Sequence, residues 1–136
     1  MTSVRALVAT FALASIILAA GAHDAGAQSE SAAPRMQVPI ANLPGQTFTS
    51  AIVTFPPGAK AAPHRHGDAF VYAYVLSGSV RSQLDDEPAK VYQAGEDWYE
   101  RPGARHKLTE NTSSAKEARL LVVFIAPAGT PLKIPD

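Results

Sequence analysis

The chain after residue 40 is a series of short apolar runs separated by turn residues. Side chains of an extended strand point alternately to opposite faces, so a short run of alternating character predicts a strand. No longer stretch in this part keeps the period of an amphipathic helix. The predicted strands are residues 47–55, 69–76, 79–84, 90–93, 97–100, 106–109 and 119–125.

Turn residues lie between nearly all of these runs. Glycine supplies positive φ and proline fixes φ near −65°, so such pairs end strands. Many short strands at near-regular spacing predict an all-β sandwich or barrel, in which closure removes exposed strand edges. The turn signals are Pro56-Pro57-Gly58, Ser77-Gly78, Asp85-Asp86-Glu87-Pro88, Ala94-Gly95 and Pro102-Gly103.

Residues 1–27 have the form of a secretory signal peptide, with Arg5 before an uncharged run over 6–22 and small residues at the end. Cleavage is predicted after Ala27, with Ala22 as the alternative site. An uncleaved anchor or a buried helix is the competing interpretation, but the run is only marginally long for a membrane span. We therefore expect a periplasmic or secreted bacterial protein with no membrane attachment after cleavage.

The length of 136 residues predicts a single domain. Residues 28–40 are rich in Ser, Ala and Pro and bury little apolar surface, which predicts a flexible leader. The barrel domain is expected over 41–130, followed by a short tail at 131–136.

Charge and cysteine content narrow the classes of function. The chain has 12 Lys+Arg against 12 Asp+Glu, so it lacks the basic field that nucleic-acid binding requires. It has no cysteine, which excludes disulfides, thiolate metal ligands and thiol nucleophiles. A small-molecule or metal ligand bound by His, carboxylate or Tyr is therefore expected.

Three of the four histidines lie in the predicted domain, at His64, His66 and His106. In an extended strand, His64 and His66 point to the same face and can share one ion, while Arg65 points the other way. A pair of this kind also occurs by chance on protein surfaces, so the pair alone is weak evidence for a metal.

The glycines that frame these histidines resemble the two sequence motifs of the cupin family. Gly58, then five residues, His64-x-His66 and Gly78 match the first motif, G-x5-H-x-H-x(3,4)-E-x6-G. Gly95, Gly103 and His106 fall at the spacing of the second, G-x5-P-x-G-x2-H-x3-N. The resemblance covers about residues 47–125.

Membership of this family implies a double-stranded β-helix, a jelly-roll barrel that holds one metal ion at its mouth. Carried over residue by residue, His64, His66 and His106 match the histidine ligands. The glutamate of the first motif does not carry over, because Val71 or, at the shorter spacing, Phe70 stands in its place. In the second motif, Arg101 replaces the proline and Glu110 the asparagine, with Pro102 and Asn111 each one place late.

A site without that glutamate is expected to be an open three-histidine centre, in which a divalent ion keeps its full charge and an additional free position. Such centres are a feature of the cupin dioxygenases that act on thiols and diketones. The ion is Fe, Zn, Cu, Ni or Mn, with Mn less expected in the absence of a carboxylate. Asp68 is a candidate replacement ligand from the loop after His66, although a turn role suits it better.

Residues 98–100 lie just before the turn of the second motif. Either Trp98 and Glu100 or Tyr99 alone should face the barrel near the metal. An inward Glu100 would be a general base or a substitute ligand, whereas a surface position is the default for a carboxylate.

The strand 69–76 has an aromatic and an aliphatic face. If Val71 keeps the inward direction of the family's glutamate, Ala73 and Val75 line the barrel with it. The opposite face, Phe70, Tyr72 and Tyr74, then packs outside or in a homodimer.

Three functions are compatible with this barrel. The first is a metal-dependent enzyme, most plausibly an oxygenase or another metal-dependent lyase or isomerase that acts on a small polar or aromatic molecule. It requires a pocket with a further acid or base in reach of substrate. The second is a non-catalytic module that binds a small ligand or a metal outside the cytoplasm, and it requires no such group. The third is a structural barrel that carries no stoichiometric metal.

Overall fold

The computed structural model describes residues 28–136, and every regular element in this range is a β-strand. The predicted signal peptide at 1–27 lies outside the described residues. Within 28–136 there is no helix with the length and apolar character that crossing a membrane requires. The strands are β1 Ser31–Pro39, β2 Gln46–Phe55, β3 Lys60–Ala61, β4 His64–Arg65, β5 Phe70–Ser77, β6 Ser79–Leu84, β7 Lys90–Gln93, β8 Asp97–Glu100, β9 Arg105–Asn111, β10 Ala118–Pro127 and β11 Ile134–Pro135.

The strands form two sheets with antiparallel pairing throughout. One sheet has the order β1-β2-β10-β5-β8, and the other has the order β11-β4-β9-β6-β7 with β3 paired to β9. Strands distant in sequence, such as β2 and β10, are therefore neighbours in space. The predicted all-β jelly-roll barrel is confirmed.

All seven strands predicted from the apolar pattern are present, with ends that differ by at most two residues. Three strands of two residues each, β3, β4 and β11, are too short to show a periodic pattern. Two of them, β4 and β11, are paired with each other next to the histidine cluster.

The prediction of a flexible leader is wrong for Ser31–Pro39. This segment is a nine-residue strand that pairs with β2 from Ser31 opposite Thr54 to Pro39 opposite Thr47. All nine residues are exposed, so the strand is held to the sheet edge by its backbone and shows no apolar face in its sequence.

The predicted tail is also ordered at its end. Ile134 and Pro135 pair with Arg65 and His64, respectively. The last residue, Asp136, forms ion pairs with Arg65 and Arg105.

The two faces of β5 divide as the alternation predicts. Val71, Ala73 and Val75 are at most 2% exposed and belong to the apolar core. Tyr72 and Tyr74 lie on the opposite face and are half-buried.

Gly78, the last glycine of the first motif, lies in the tight connection between β5 and β6. Its φ is +74°, and a Cβ added here would lie 2.8 Å from the carbonyl oxygen of Glu117. Both the left-handed backbone and the close approach require glycine.

Candidate metal centre

The three histidines of the two motifs come together in the structure. His64 on β4 lies directly opposite His106 on β9, and His66 follows in the loop after β4. The ring centroid of His64 is 4.8 Å from that of His66 and 5.1 Å from that of His106. One ring nitrogen of each histidine lies within 4.8 Å of the others, which is compatible with three ligands of one ion.

Backbone carbonyls fix the outer nitrogens of two of these rings. His64 Nδ1 donates to the Ala62 carbonyl at 2.8 Å, and His66 Nδ1 donates to the Leu132 carbonyl. A carbonyl only accepts, so each Nδ1 carries the proton and each neutral ring presents a bare Nε2 to the other. Such outer contacts are typical of metal-bound histidines.

The two bare Nε2 atoms lie 3.2 Å apart. With both protons on the outer nitrogens, two lone pairs face each other at this distance without a hydrogen between them. Such an arrangement is repulsive unless a cation lies beside both atoms. The geometry therefore fits a metal ion.

Burial keeps these two rings neutral. It lowers the pKa of His64 to about 4, against the hydrogen bond to Ala62, which raises it. Burial also lowers the pKa of His66, although the charge of Glu100 and the Leu132 carbonyl act in the opposite direction. Both lone pairs are thus available at neutral pH.

His106 is oriented by two hydroxyl groups. Its Nε2 lies 2.7 Å from both Ser82 Oγ and Thr109 Oγ1, and its Nδ1 lies 3.1 Å from Glu100 Oε1. A hydroxyl either donates or accepts, so this pair supports both neutral tautomers of the ring. When Nε2 donates to a hydroxyl, Nδ1 is bare and available as a ligand, and when Nδ1 carries the proton, it donates to Glu100 Oε1.

Glu100 supplies a carboxylate to the same place. It is only 3% exposed, and its Oε2 lies 3.5 Å from His66 Nε2. In the register of β5 and β8, Glu100 lies directly opposite Val71, the residue that stands in place of the motif glutamate. The neighbouring strand therefore brings a carboxylate to the position where the motif lacks one.

Glu100 therefore lies next to the predicted three-histidine site, whose donor atoms form a group without it, and the surface position taken as the default for Glu100 is wrong. Trp98 and Glu100 face inward and Tyr99 is exposed, so the first of the two predicted alternatives holds. Alternation along the strand is the only signal for this in the sequence, because the outcome depends on which neighbour β8 pairs with.

The surroundings of Glu100 also suit a cation. Trp98 Nε1 donates to Oε1 at 3.2 Å, while Oε2 is the one buried side-chain N or O atom in the described range without a hydrogen-bond partner. Burial alone would raise the pKa of Glu100, but the hydrogen bond and charge of His106, together with His66 and Trp98, hold it below its ordinary value. The carboxylate is therefore charged, and a buried, unpaired anionic oxygen is costly unless a cation neutralises it.

Asp68 does not join the cluster. It is exposed and lies in a turn with Gly67, outside the group of residues that could share an ion. The prediction of Asp68 as a ligand is not supported by this placement, because the turn directs the chain towards β5 and leaves the carboxylate in solvent.

The departures from the second motif have structural roles. Asn111 is buried, and its Nδ2 donates to the carbonyls of Phe55, Pro56 and Lys116. Glu110 forms ion pairs with Lys60 and Arg81 at 2.8 Å each. Neither side chain contacts the histidines, so the shifted asparagine fastens a loop.

The cluster lies in a cavity of about 250 Å³ between the two sheets. Most of its lining is apolar, with contributions from β2, β5 and β10 and from the chain ends. Representative wall residues are Phe55, Ala73, Leu120, Val122 and Phe124. This volume lies below the range of about 300–1,000 Å³ that is usual for sites of drug-sized ligands, so the cavity suits a small molecule.

Comparison with known proteins agrees with the fold and the motifs. The family model described as Cupin domain matches residues 51–124, which is more than half of the chain. This protein belongs to the cupin family. No curated protein is similar enough in sequence to be counted as a relative.

Solved structures share the fold at low identity. The cupin domain of Schizosaccharomyces pombe Cnp3 is 14% identical with a TM-score of 0.60, over 74% of this chain and 63% of that one. A double-stranded β-helix protein from Klebsiella pneumoniae subsp. pneumoniae MGH 78578 is 18% identical (TM-score 0.60, 79% of this chain and 85% of that chain). An oxalate oxidase is 22% identical (TM-score 0.60, 79% and 55%). This chain thus spans less than two thirds of the first and third of these proteins.

Proposed function

We propose that this protein is an exported, metal-dependent cupin enzyme of the oxygenase type, which acts on a small, mainly apolar molecule. One divalent transition-metal ion is held by His64 Nε2, His66 Nε2, His106 Nδ1 and the Glu100 carboxylate. The observation that carries the proposal is the convergence of bare histidine nitrogens and the unpaired Glu100 oxygen in one buried cavity.

Glu100 changes the electrostatics that three histidines alone would give. Three neutral imidazoles leave a divalent ion at +2, and the carboxylate reduces this charge to +1. A carboxylate also makes the donor set acceptable to Mn and Fe as well as Zn, Cu and Ni, because hard ions favour oxygen ligands. Glu100 therefore acts as a ligand and, where substrate displaces it, as a base.

The ion, when bound, supplies the Lewis acidity or electron transfer that the reaction needs. The residues of the chain orient the histidine ligands and enclose the substrate. Ser82, Thr109 and two backbone carbonyls orient the three rings, and the apolar walls exclude water from the substrate.

The oxygenase type is supported by the small number of acid–base groups in the cavity. Apart from the histidines, the titratable side chains that line it are Glu100, Glu30 and Lys133, and the last two form an ion pair with each other. Chemistry that needs several proton transfers would find few partners, whereas dioxygen is apolar and enters such a cavity readily. The fold shared with oxalate oxidase is compatible with redox chemistry on this scaffold.

A non-catalytic module that binds a small ligand is the second candidate. The apolar character of the lining favours it, because such a pocket binds without reacting. Both candidate functions need the same metal centre. Only the enzyme would convert the bound molecule into a product.

Dioxygen consumption by the mature protein separates the two. The chain is loaded with Fe, Mn, Cu, Ni or Zn in turn and offered small thiols, phenols, diketones and monocarboxylates in an oxygen electrode. An oxygenase consumes dioxygen with at least one redox-active ion and not with Zn, and His106→Ala abolishes the uptake. Stoichiometric metal without dioxygen uptake or product would reject the enzyme and leave the binding module.

A further inference from the structure

The cavity of the metal centre contains one cationic side chain. Among the described residues that line it, the charged groups are Glu100 at the histidines and Glu30 and Lys133, which belong to the two ends of the described chain. The Lys133 side chain is 46% exposed, whereas that of Glu30 is only 11% exposed. Lys133 therefore lies at the rim, between solvent and the apolar interior.

Lys133 has N–H groups that can donate further hydrogen bonds. Its Nζ carries three N–H donors, and Glu30 Oε1 is its only hydrogen-bond acceptor within the described chain. Glu30 is also held by Ser29 Oγ at 2.6 Å, so its carboxylate does not depend on Lys133 alone. A second anion at the rim can share the ammonium group or take the place of Glu30.

The position of Lys133 couples it to the metal centre. The preceding residue, Leu132, accepts the hydrogen bond from His66 Nδ1, and the following Ile134 pairs with Arg65 of β4. The backbone on both sides of Lys133 is thus fastened to the strand and loop that carry the histidines. An anion held by Lys133 would therefore lie at the rim of the cavity that contains the histidines.

The charges that line the cavity predict the sign and size of the charge on the molecule that it binds. With a divalent ion bound, the two carboxylates and the ammonium leave the cavity lining with a net charge of +1. A single negative charge neutralises it, and the walls accept only an apolar remainder. A dianion would need a second cation, which the described lining does not contain.

We propose that the substrate is a small monocarboxylate whose carboxylate is bound by Lys133 and whose apolar part fills the cavity next to His66 and Phe124. This assignment of the substrate class rests on the proposed function and concerns the same site. Lys133 is then a residue for substrate specificity and not a metal ligand.

Benzoate and benzamide test this assignment, since they match in shape and differ in charge. Their affinities are measured by calorimetry or by NMR titration on the Zn-loaded mature protein, with metal content determined on each sample. Benzoate is expected to bind at least about tenfold more tightly than benzamide, as charge-assisted hydrogen bonds are the stronger ones. Lys133→Gln should remove most of this preference, and Lys133→Arg should keep it.

Two further variants complete the test. Glu30→Gln should tighten benzoate binding, because it removes the competing anion. Lys60→Gln removes a lysine that is also ion-paired to a glutamate but does not line the cavity, so it should leave both affinities unchanged.

Each outcome is decisive for one of the two claims. Equal affinities for the two probes, or a benzoate preference that persists in Lys133→Gln, would overturn the monocarboxylate assignment even if the metal is present. A chain that takes up none of Fe, Mn, Cu, Ni and Zn instead rejects the metal centre, whatever the probes do.

Discussion

Glu100 brings a negative charge next to the three histidines, which sets the charge that the centre would have with an ion bound. Its Oε2 has no hydrogen-bond donor, and its Oε1 contacts Trp98 and His106. Without an ion, the buried oxygen is an energetic cost. With an ion bound, the proposed ligand role of Oε2 would offset that cost.

Glu100→Gln keeps the shape of the side chain and removes its charge. We expect the affinity for a divalent ion to fall at least about tenfold. A loss of about 10–100-fold is typical even when only a residue that hydrogen-bonds to a metal ligand is removed. Competition with a chelating dye measures the change. Glu117→Gln, at an exposed position, is the matched control, and an unchanged affinity in Glu100→Gln would remove this residue from the ligand set.

Gly78 offers a prediction about the fold. Gly78→Ala and Gly129→Ala both place alanine at a positive φ, +74° and +77°, but a Cβ meets neighbouring atoms only at Gly78. A left-handed residue costs about 1–2 kcal/mol, and overpacking adds about 1–3 kcal/mol. Urea unfolding should therefore show the larger loss in Gly78→Ala. Equal losses would mean that the close approach to Glu117 is relieved at no cost.

The chain ends are the elements that the sequence pattern does not reveal. The seven predicted strands follow from alternation and turn residues, since their side chains face a core on one side. Strand β1 is exposed along its whole length, and β11 has two residues, so neither leaves a hydrophobic signature. Their pairing depends on backbone hydrogen bonds to β2 and β4.

The C-terminal segment supports the metal centre through the Leu132 carbonyl. A chain that ends at Pro131 lacks this acceptor for His66 and lacks β11 beside His64. We expect its metal affinity to fall about 10–100-fold while the far-UV circular dichroism remains that of a β-protein. Full metal affinity in the truncated chain would contradict this role.

The Glu30–Lys133 ion pair gives a pH prediction. Burial alone would raise the pKa of Glu30, but the hydrogen bonds from Lys133 and Ser29 and the charge of Lys133 hold it below its ordinary value of 4.5. Because the folded pKa is lower than the unfolded one, the stabilisation is fully present above pH 4.5 and is lost as pH falls through the folded pKa.

Urea unfolding of wild type and Glu30→Gln at several pH values tests this sign. The wild type should be the more stable at pH 7, and the difference should shrink at acid pH. Lys133→Gln should show the same trend. A difference that is constant with pH would show that the ion pair contributes nothing through ionisation.

For the whole molecule, homodimer formation stays a prediction. Phe70 and Tyr99 stack on the outer face of the first sheet with ring centroids 5.7 Å apart, and both are exposed. Size-exclusion chromatography at two concentrations should give a dimer that Tyr99→Ser weakens. A monomer at both concentrations would contradict the expectation.

The site as a whole shows where sequence reasoning ends. Motif spacing is a property of one segment, and it located His64, His66 and His106 correctly as a cluster. Glu100 enters through the pairing of β5 with β8, and Leu132 and Lys133 through the pairing of β4 with β11. Such contacts arise from tertiary register, which no single segment encodes. The same register places a carboxylate next to the three-histidine site.

The central claim is that one metal ion is bound by His64, His66, His106 and Glu100. Elemental analysis of the protein purified from its native compartment tests it most directly, alongside His106→Ala. The account predicts one transition-metal ion per wild-type chain and almost none in the variant. Metal-free wild type that stays empty after incubation with Fe, Mn, Cu, Ni or Zn, or equal metal in His106→Ala, would contradict it.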